Sequence, residues 1–279
     1  MLTVKSRKMI KPKWNIYLIH LDSDVLFVRV KLNYCLGTLI GGLKGVICLK
    51  TNQYNRNYCS KNRGMTNNKS LSELVKQRDT FKRKFSLWEL YRSFVYVPKA
   101  ISRLIGNKKS KLVDEQLVER LQLAVTEVNG CAACSYQHTK MALQQGMSND
   151  EIASFLNGET DYIKPEEAKA IFFAQHFADS RGFPKKETYD KIVGQYGKKE
   201  ALVILAACQV IFAGNAYGIP FSAFIARIHG KPYKKSSLFY ELGMILAGGL
   251  LLPIALIHGL LRSIFGLPNE RFDTRTTDD

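Results

Sequence analysis

The sequence predicts an all-α protein closed by a hydrophobic C-terminal helix, and three features carry that prediction. From Ser70 onward apolar residues recur at spacings close to one helical turn. The periodic stretches are punctuated by helix-stopping residues: Asn129-Gly130, Gly146, Asn157-Gly158 and Gly197. Near the C-terminal end, Leu242 to Leu261 runs for about twenty residues without a formal charge, long enough to cross a bilayer.

Composition limits the functional classes. A chain of 279 residues with 46 % hydrophobic content holds one large or two small domains with a real core. The formal charge of +17 is unevenly placed, because residues 1–64 carry twelve Lys or Arg against two acids, leaving only +7 for the rest. No basic helix with base-reading side chains and no aromatic RNA-binding signature occurs, so the charge does not indicate a nucleic-acid partner. Six cysteines lie at irregular spacing (35, 48, 59, 131, 134 and 208), and no clean secretory signal precedes them. A reducing cytoplasm is the expected compartment. There a Cys-x-x-Cys pair reacts or binds metal more often than it braces a fold.

Taken in order, the chain divides into a basic leader (1–64), a helical redox domain (65–235), and a hydrophobic helix with a polar tail (236–279). The leader has strand-like runs over Asn15 to Val30 and a short apolar run from Leu36 to Leu49 that contains Lys44. Met65 opens a second plausible start, with the leader outside the native protein; the alternative is a basic tail on an anionic surface. Ser70-Leu71-Ser72-Glu73 resembles a helix start. Leu87 to Ile105 is an amphipathic stretch interrupted at Pro98, and Gly106 to Lys111 reads as a polar turn. Leu112 to Val128 is a helix whose stripe is Leu117, Leu121, Ala124, Val125 and Val128, with Glu115, Arg120 and Gln122 more outward and Glu119 off the stripe's centre.

A second helix runs from about Cys131 to Gln145. Ser148 to Glu151 offers a capping box for a short helix through Leu156. The helix opened by Pro165-Glu166-Glu167 presents Ile171, Phe172, Ala174, Phe177 and Ala178 to the core, with His176 as a packing histidine. Pro184 to Tyr196 is amphipathic. Lys199 to Ala213 is apolar almost all round, which marks a central or interface helix with Cys208 as a buried hydrophobe. Asn215, Tyr217 and Gly218 read as a break before Phe221 to Ile228, and lining of a pocket by its polar side chains is the less favoured alternative. Lysines 231, 234 and 235 before the last helix favour a thiol domain on the cytoplasmic side if residues 242–261 anchor the protein to a membrane. The end beyond Phe272 is expected to fray.

Chemistry concentrates at Asn129-Gly130-Cys131-Ala132-Ala133-Cys134-Ser135-Tyr136-Gln137-His138. Cysteines in a helix's first turn face unpaired N–H groups and the positive end of its dipole, which lowers a thiol pKa from about 8.5 to roughly 3.5–7.5 in Cys-x-x-Cys pairs. Cys131 and Cys134 are i and i+3, and Cys134 and His138 are i and i+4, so a nucleophile, a resolving thiol and a proton shuttle share one helix face. Glu119, twelve residues before Cys131, reaches back to orient His138 if the two helices pack as an antiparallel pair.

The spacing Glu119, Cys131, Cys134, His138, with Asn129-Gly130 ahead of the first cysteine, resembles the AhpD-like alkylhydroperoxidase branch of the carboxymuconolactone decarboxylase family. The similarity extends from about Leu71 to about Lys235 and includes the runs 87–92 and 97–100. The resemblance implies an all-α, AhpD-like helical bundle, a homo-oligomer, Cys134 as the peroxide-attacking thiol, Cys131 as the resolving thiol, and Glu119 with His138 as a proton relay. It also implies a hydroperoxide substrate and an external dithiol or lipoyl-bearing reductant. Ala133 departs from the often aromatic residue before the second cysteine, and the cysteine pair disfavours the decarboxylase branch. No flavin, haem or nicotinamide motif is present, so no cofactor is expected.

Other readings of the same residues are a general disulfide reductase or redox sensor, a zinc site completed around Cys131, Cys134 and His138, and a purely structural interaction protein. A thioredoxin-like arrangement is disfavoured because a helix, not a strand, precedes the pair.

Overall fold

The computed structural model describes residues 82–274, and the expectations for the leader, Met65 and Ser70 to Glu73 lie outside the described residues. Among the described residues the elements are eight α-helices and one isolated bridge. Helix α1 (Leu87–Ser110) starts on a capping box in which the Ser86 hydroxyl accepts from the Glu89 N–H and the Glu89 carboxylate accepts from the Ser86 N–H. It runs through Pro98 and through the turn expected at Gly106 to Lys111. A proline inside a helix forfeits one backbone bond and crowds the preceding turn, so packing must compensate. The two last helices, α7 (Lys198–Ile228) and α8 (Leu238–Ile264), both lie along α1, with Leu90, Val95, Val97 and Ala100 buried. The last turn survives because buried Asn107 brackets the next loop, donating to the Val113 carbonyl and accepting from the Val113 N–H. Lys111, at φ 53°, then ends the helix.

Helix α2 (Glu115–Asn129) is the hub, packed by α3 (Ala132–Gln144), α4 (Asn149–Asn157), α5 (Ala168–Asp179) and α7 (Lys198–Ile228). Its burial corrects the outward placement of Arg120 and Gln122. Both are buried, but on different sides: α4 and the start of α5 cover Arg120, whereas Gln122 lines the cleft that α1 and α3 form with α2. Arg120 donates to Glu151 at 2.8 Å and to both Glu167 oxygens at 3.2 Å, which is what makes a buried guanidinium tolerable. The Ser148 cap of α4 is present as expected, with Gly158 closing the helix. In α5 Ile171, Ala174, Phe177 and Ala178 are buried as expected, but Phe173 takes the inward place of Phe172, which is 53 % exposed. His176 packs structurally, accepting from the Lys185 N–H at 3.1 Å.

Helix α6 (Lys186–Tyr196) leads through Gly197 into α7, which runs uninterrupted past Asn215, Gly218 and Pro220. The break expected at 215–218 does not occur: Asn215 bonds to α2, Gly218 faces the two cysteine sulfurs and Tyr217 lies against Gly248, so tertiary contacts hold the helix through this stretch. Cys208 is fully buried, and burial pushes its thiol up. Helix α8 (Leu238–Ile264) lies against α1 and α7. Both α7 and α8 are long and apolar enough to cross a membrane, but 72 % of the apolar window of α7 is buried in the fold against 22 % of that of α8. The tail does not fray at once beyond Phe272. Asp273 exchanges backbone bonds with Pro184 and Lys186, and Phe272 stacks on Tyr189 at 4.5 Å.

Candidate functional site

The α2–α3 junction brings the motif residues together. Gly130, at φ 77°, terminates α2 with its N–H bonded to the Thr126 carbonyl. Glycine is needed there twice over: the φ is left-handed, and a Cβ would lie 2.5 Å from the Lys82 nitrogen. The chain turns at once into α3. Cys131 is the N-cap, with extended backbone, and its sulfur accepts from the Cys134 N–H at 3.3 Å. The expectation that the cysteines occupy a first helical turn is therefore met by a cap residue and the residue three positions on. Cys131 and Cys134 are joined as a disulfide, with Cα atoms 5.3 Å apart.

The helical end that surrounds the sulfurs is completed from α7. The Ser222 hydroxyl accepts from the Ala133 N–H at 3.2 Å and donates to the Gly218 carbonyl at 2.7 Å. One side chain thereby satisfies one of the N–H groups that a helix start leaves unpaired. Gly218 faces the disulfide: a Cβ there would lie 2.8 Å from the Cys131 sulfur and 2.9 Å from that of Cys134. A second tie holds the preceding residue, since Asn129 donates to Asn215 at 3.1 Å and Asn215 donates to Thr126 at 3.2 Å, all fully buried. The sequence marks Asn215 and Gly218 as part of a break in the helix. The structure makes them the packed floor of the thiol loop instead, and it adds Ser222, which the motif does not reveal. The only sequence signal for Ser222 is a small polar residue one turn after Gly218.

Glu119 and His138 meet across the α2–α3 pair. The His138 Nδ1 lies 2.9 Å from Glu119 Oε2, and the two side chains are 14 % and 3 % exposed. This contact spans the antiparallel α2–α3 pair. A nearly buried carboxylate needs such a donor, and with the proton on Nδ1 the other ring nitrogen is left free to accept or deliver one. His138 stands one helical turn beyond Cys134 on the same helix. Of the two cysteines, Cys131 is wholly buried and Cys134 is 9 % exposed. On the Glu119 side, a cleft of about 250 Å³ lies between α1, α2 and α3, lined by Ile101, Leu104, Ile105, Val118 and Met141 together with Glu119 and Gln122. Asn107, Lys108, Glu115 and Gln145 complete the lining, and most of the exposed wall surface is apolar.

Residues 97–176 match the model of the carboxymuconolactone decarboxylase family. Over this segment the chain is similar to that family. The family includes AhpD-like proteins, and the segment contains Glu119, Cys131, Cys134 and His138 together. Neither the comparison with curated proteins nor that with solved structures gave a match. Gly218, Ser222 and Asn215 lie outside the family segment, on the helix that closes the site from behind. Among the described residues, no three or more His, Cys, Asp or Glu side chains gather in a metal-holding arrangement.

Proposed function

We propose that this protein is a thiol-dependent hydroperoxidase cycling between the Cys131/Cys134 dithiol and its disulfide. The observation that carries the reading is the 2.9 Å contact between Glu119 and His138, placed one turn from the cysteine that retains exposure. In the reduced protein the Cys134 thiolate attacks one oxygen of R–O–OH. The O–O bond breaks, Cys134 becomes a sulfenic acid, and the departing alkoxide takes a proton from His138. Glu119 holds the imidazole by Nδ1 and fixes its orientation. The Cys131 thiol then attacks the Cys134 sulfur, forming the disulfide and releasing water. An external dithiol, such as a lipoyl group on a partner protein, accepts the oxidising equivalents and returns both thiols.

Two features support this over general disulfide exchange. The pair is nearly enclosed, which suits a small oxidant better than a protein disulfide that must approach in line. The mostly apolar cleft beside Glu119 fits a substrate with a hydrocarbon portion.

The test is to add one equivalent of an alkyl hydroperoxide to the reduced protein and map the products. Conversion of Cys131 and Cys134 to their mutual disulfide, with one alcohol released per disulfide, is the expected result. His138→Gln should slow the conversion by about 10²–10⁴-fold while leaving the fold intact. A disulfide that forms only with protein or small-molecule disulfides, and not with peroxide, would displace the proposal.

A further inference from the structure

Helix α8 has two faces of different character. Its inner face, formed by Glu241, Met244, Gly248, Ala255 and Gly259, is buried. The outer face exposes Phe239 (92 %), Leu250 (75 %) and Ile257 (61 %), with further leucines and isoleucines between them. Between Phe239 and Leu261 the single charged residue is Glu241, and it is turned inward. At about 100° per residue, the exposed positions from Leu256 round to His258 sweep an arc of roughly 200°. A seam made for one partner helix is narrower and is flanked by charged positions, and neither description fits here.

Spanning a bilayer does not fit either. Helix α8 is fixed to α1 so closely that a Cβ on Gly259 would lie 2.1 Å from the Val95 carbonyl oxygen. Buried Glu241 takes two hydrogen bonds from Arg227 of α7, at 2.6 and 2.8 Å. Helix α1 itself carries Glu89, Arg92, Lys99 and Arg103, each bonded to other parts of the fold, and it cannot follow α8 into hydrocarbon.

The border of the apolar arc is that of a surface-seated helix. Trp88, 63 % exposed, stacks on Tyr91, whose hydroxyl meets His258 Nδ1 at 2.9 Å. Such rings suit the headgroup level, with an apolar body and a polar rim. Exposed Lys231, Lys234 and Lys235 precede the helix and Arg262 closes it, with no exposed acid from residue 231 to residue 265. The geometry points to α8 as an in-plane anchor: its outer face lies in the surface of an anionic phospholipid bilayer, with the helix axis parallel to the membrane. This goes beyond the peroxidase reading and does not depend on it.

Full-length protein is tested by co-sedimentation with phosphatidylcholine vesicles, with and without phosphatidylglycerol. The protein pellets with both and more strongly with the anionic vesicles. A Leu250→Glu, Ile257→Glu double variant, with unchanged circular dichroism, binds about a hundredfold more weakly or worse. The basic leader is present in both proteins, so a variant that pellets like the parent assigns binding to the leader and overturns the proposal. Trp88 fluorescence, in a Trp14→Phe background, is quenched more by headgroup-proximal nitroxide lipids than by those labelled at the bilayer centre; the reverse order overturns the in-plane arrangement. A parent protein that ignores vesicles and sediments as a dimer, which the double variant converts to monomer, assigns the face to a second copy and likewise overturns it.

Discussion

Replacing Gly218 with alanine probes the closest approach in the thiol loop. The added Cβ would lie 2.8 and 2.9 Å from the two sulfurs, against ordinary carbon contacts of roughly 3.5–4.0 Å. Helix α7 or the loop must therefore retreat by several tenths of an ångström, an overpacking that costs about 1–3 kcal/mol. Alanine also favours the helix by about 1 kcal/mol over glycine, which partly masks that cost. Gly214, one turn earlier on α7, supplies the correction, because a Cβ added there meets nothing within 4 Å and gains the propensity difference alone. The stability difference between Gly214→Ala and Gly218→Ala should thus equal the overpacking cost. For a domain of this size that separation is about 2–12 °C in melting temperature. Differential scanning calorimetry of both oxidised proteins measures it, and peroxide-driven disulfide formation should be slowed only in Gly218→Ala. Equal melting temperatures for the two variants would refute the claim that α7 is packed hard against the sulfurs.

Three further outcomes follow from the packing and the ion pairs. Arg120→Ala leaves Glu151 and Glu167 without their shared buried partner and should cost about 3–5 kcal/mol in urea unfolding. Arg227 donates to the Glu241 carboxylate and holds its pKa below the ordinary 4.5, so this group stabilises the fold above that value and the contribution is lost as pH falls through the lowered one. The stability gap between parent and Glu241→Gln should accordingly be present at pH 7 and narrow below about pH 4.5, as read from unfolding curves across that range. Cys208, enclosed in α7 with its thiol pushed up, should resist alkylation in the folded protein, and Cys208→Ala should react with peroxide at the parent's rate; labelling with iodoacetamide followed by peptide mapping checks the first and stopped-flow oxidation the second.

The motif spacing alone specified the heart of the site. Asn129-Gly130 had to end a helix, Cys131 to Cys134 had to open the next, and the distance to Glu119 had to bring its carboxylate to His138 if the pair packed antiparallel. Those are local constraints, fixed by backbone conformation and helical repeat within about twenty residues. The same is true of the Ser148 cap and of the all-helical class. Pro98, Gly106 and Gly218 read locally as stops, yet α1 and α7 run through them, because contacts from distant parts of the chain outweigh a cost of about 1–3 kcal/mol at each. Arg120 has the local pattern of a solvated face residue, and it is Glu151 and Glu167, contributed by later segments, that enclose it. The apolar length of α8 is plain in the sequence. Which half of that helix is covered was decided by Gly248, Ala255 and Gly259, whose small size lets α1 and α7 approach one side and leaves the other bare. Periodicity reports what a residue can do for its own helix; only the assembled neighbours determine which side chains are closed off from water and which remain to meet a substrate or a surface.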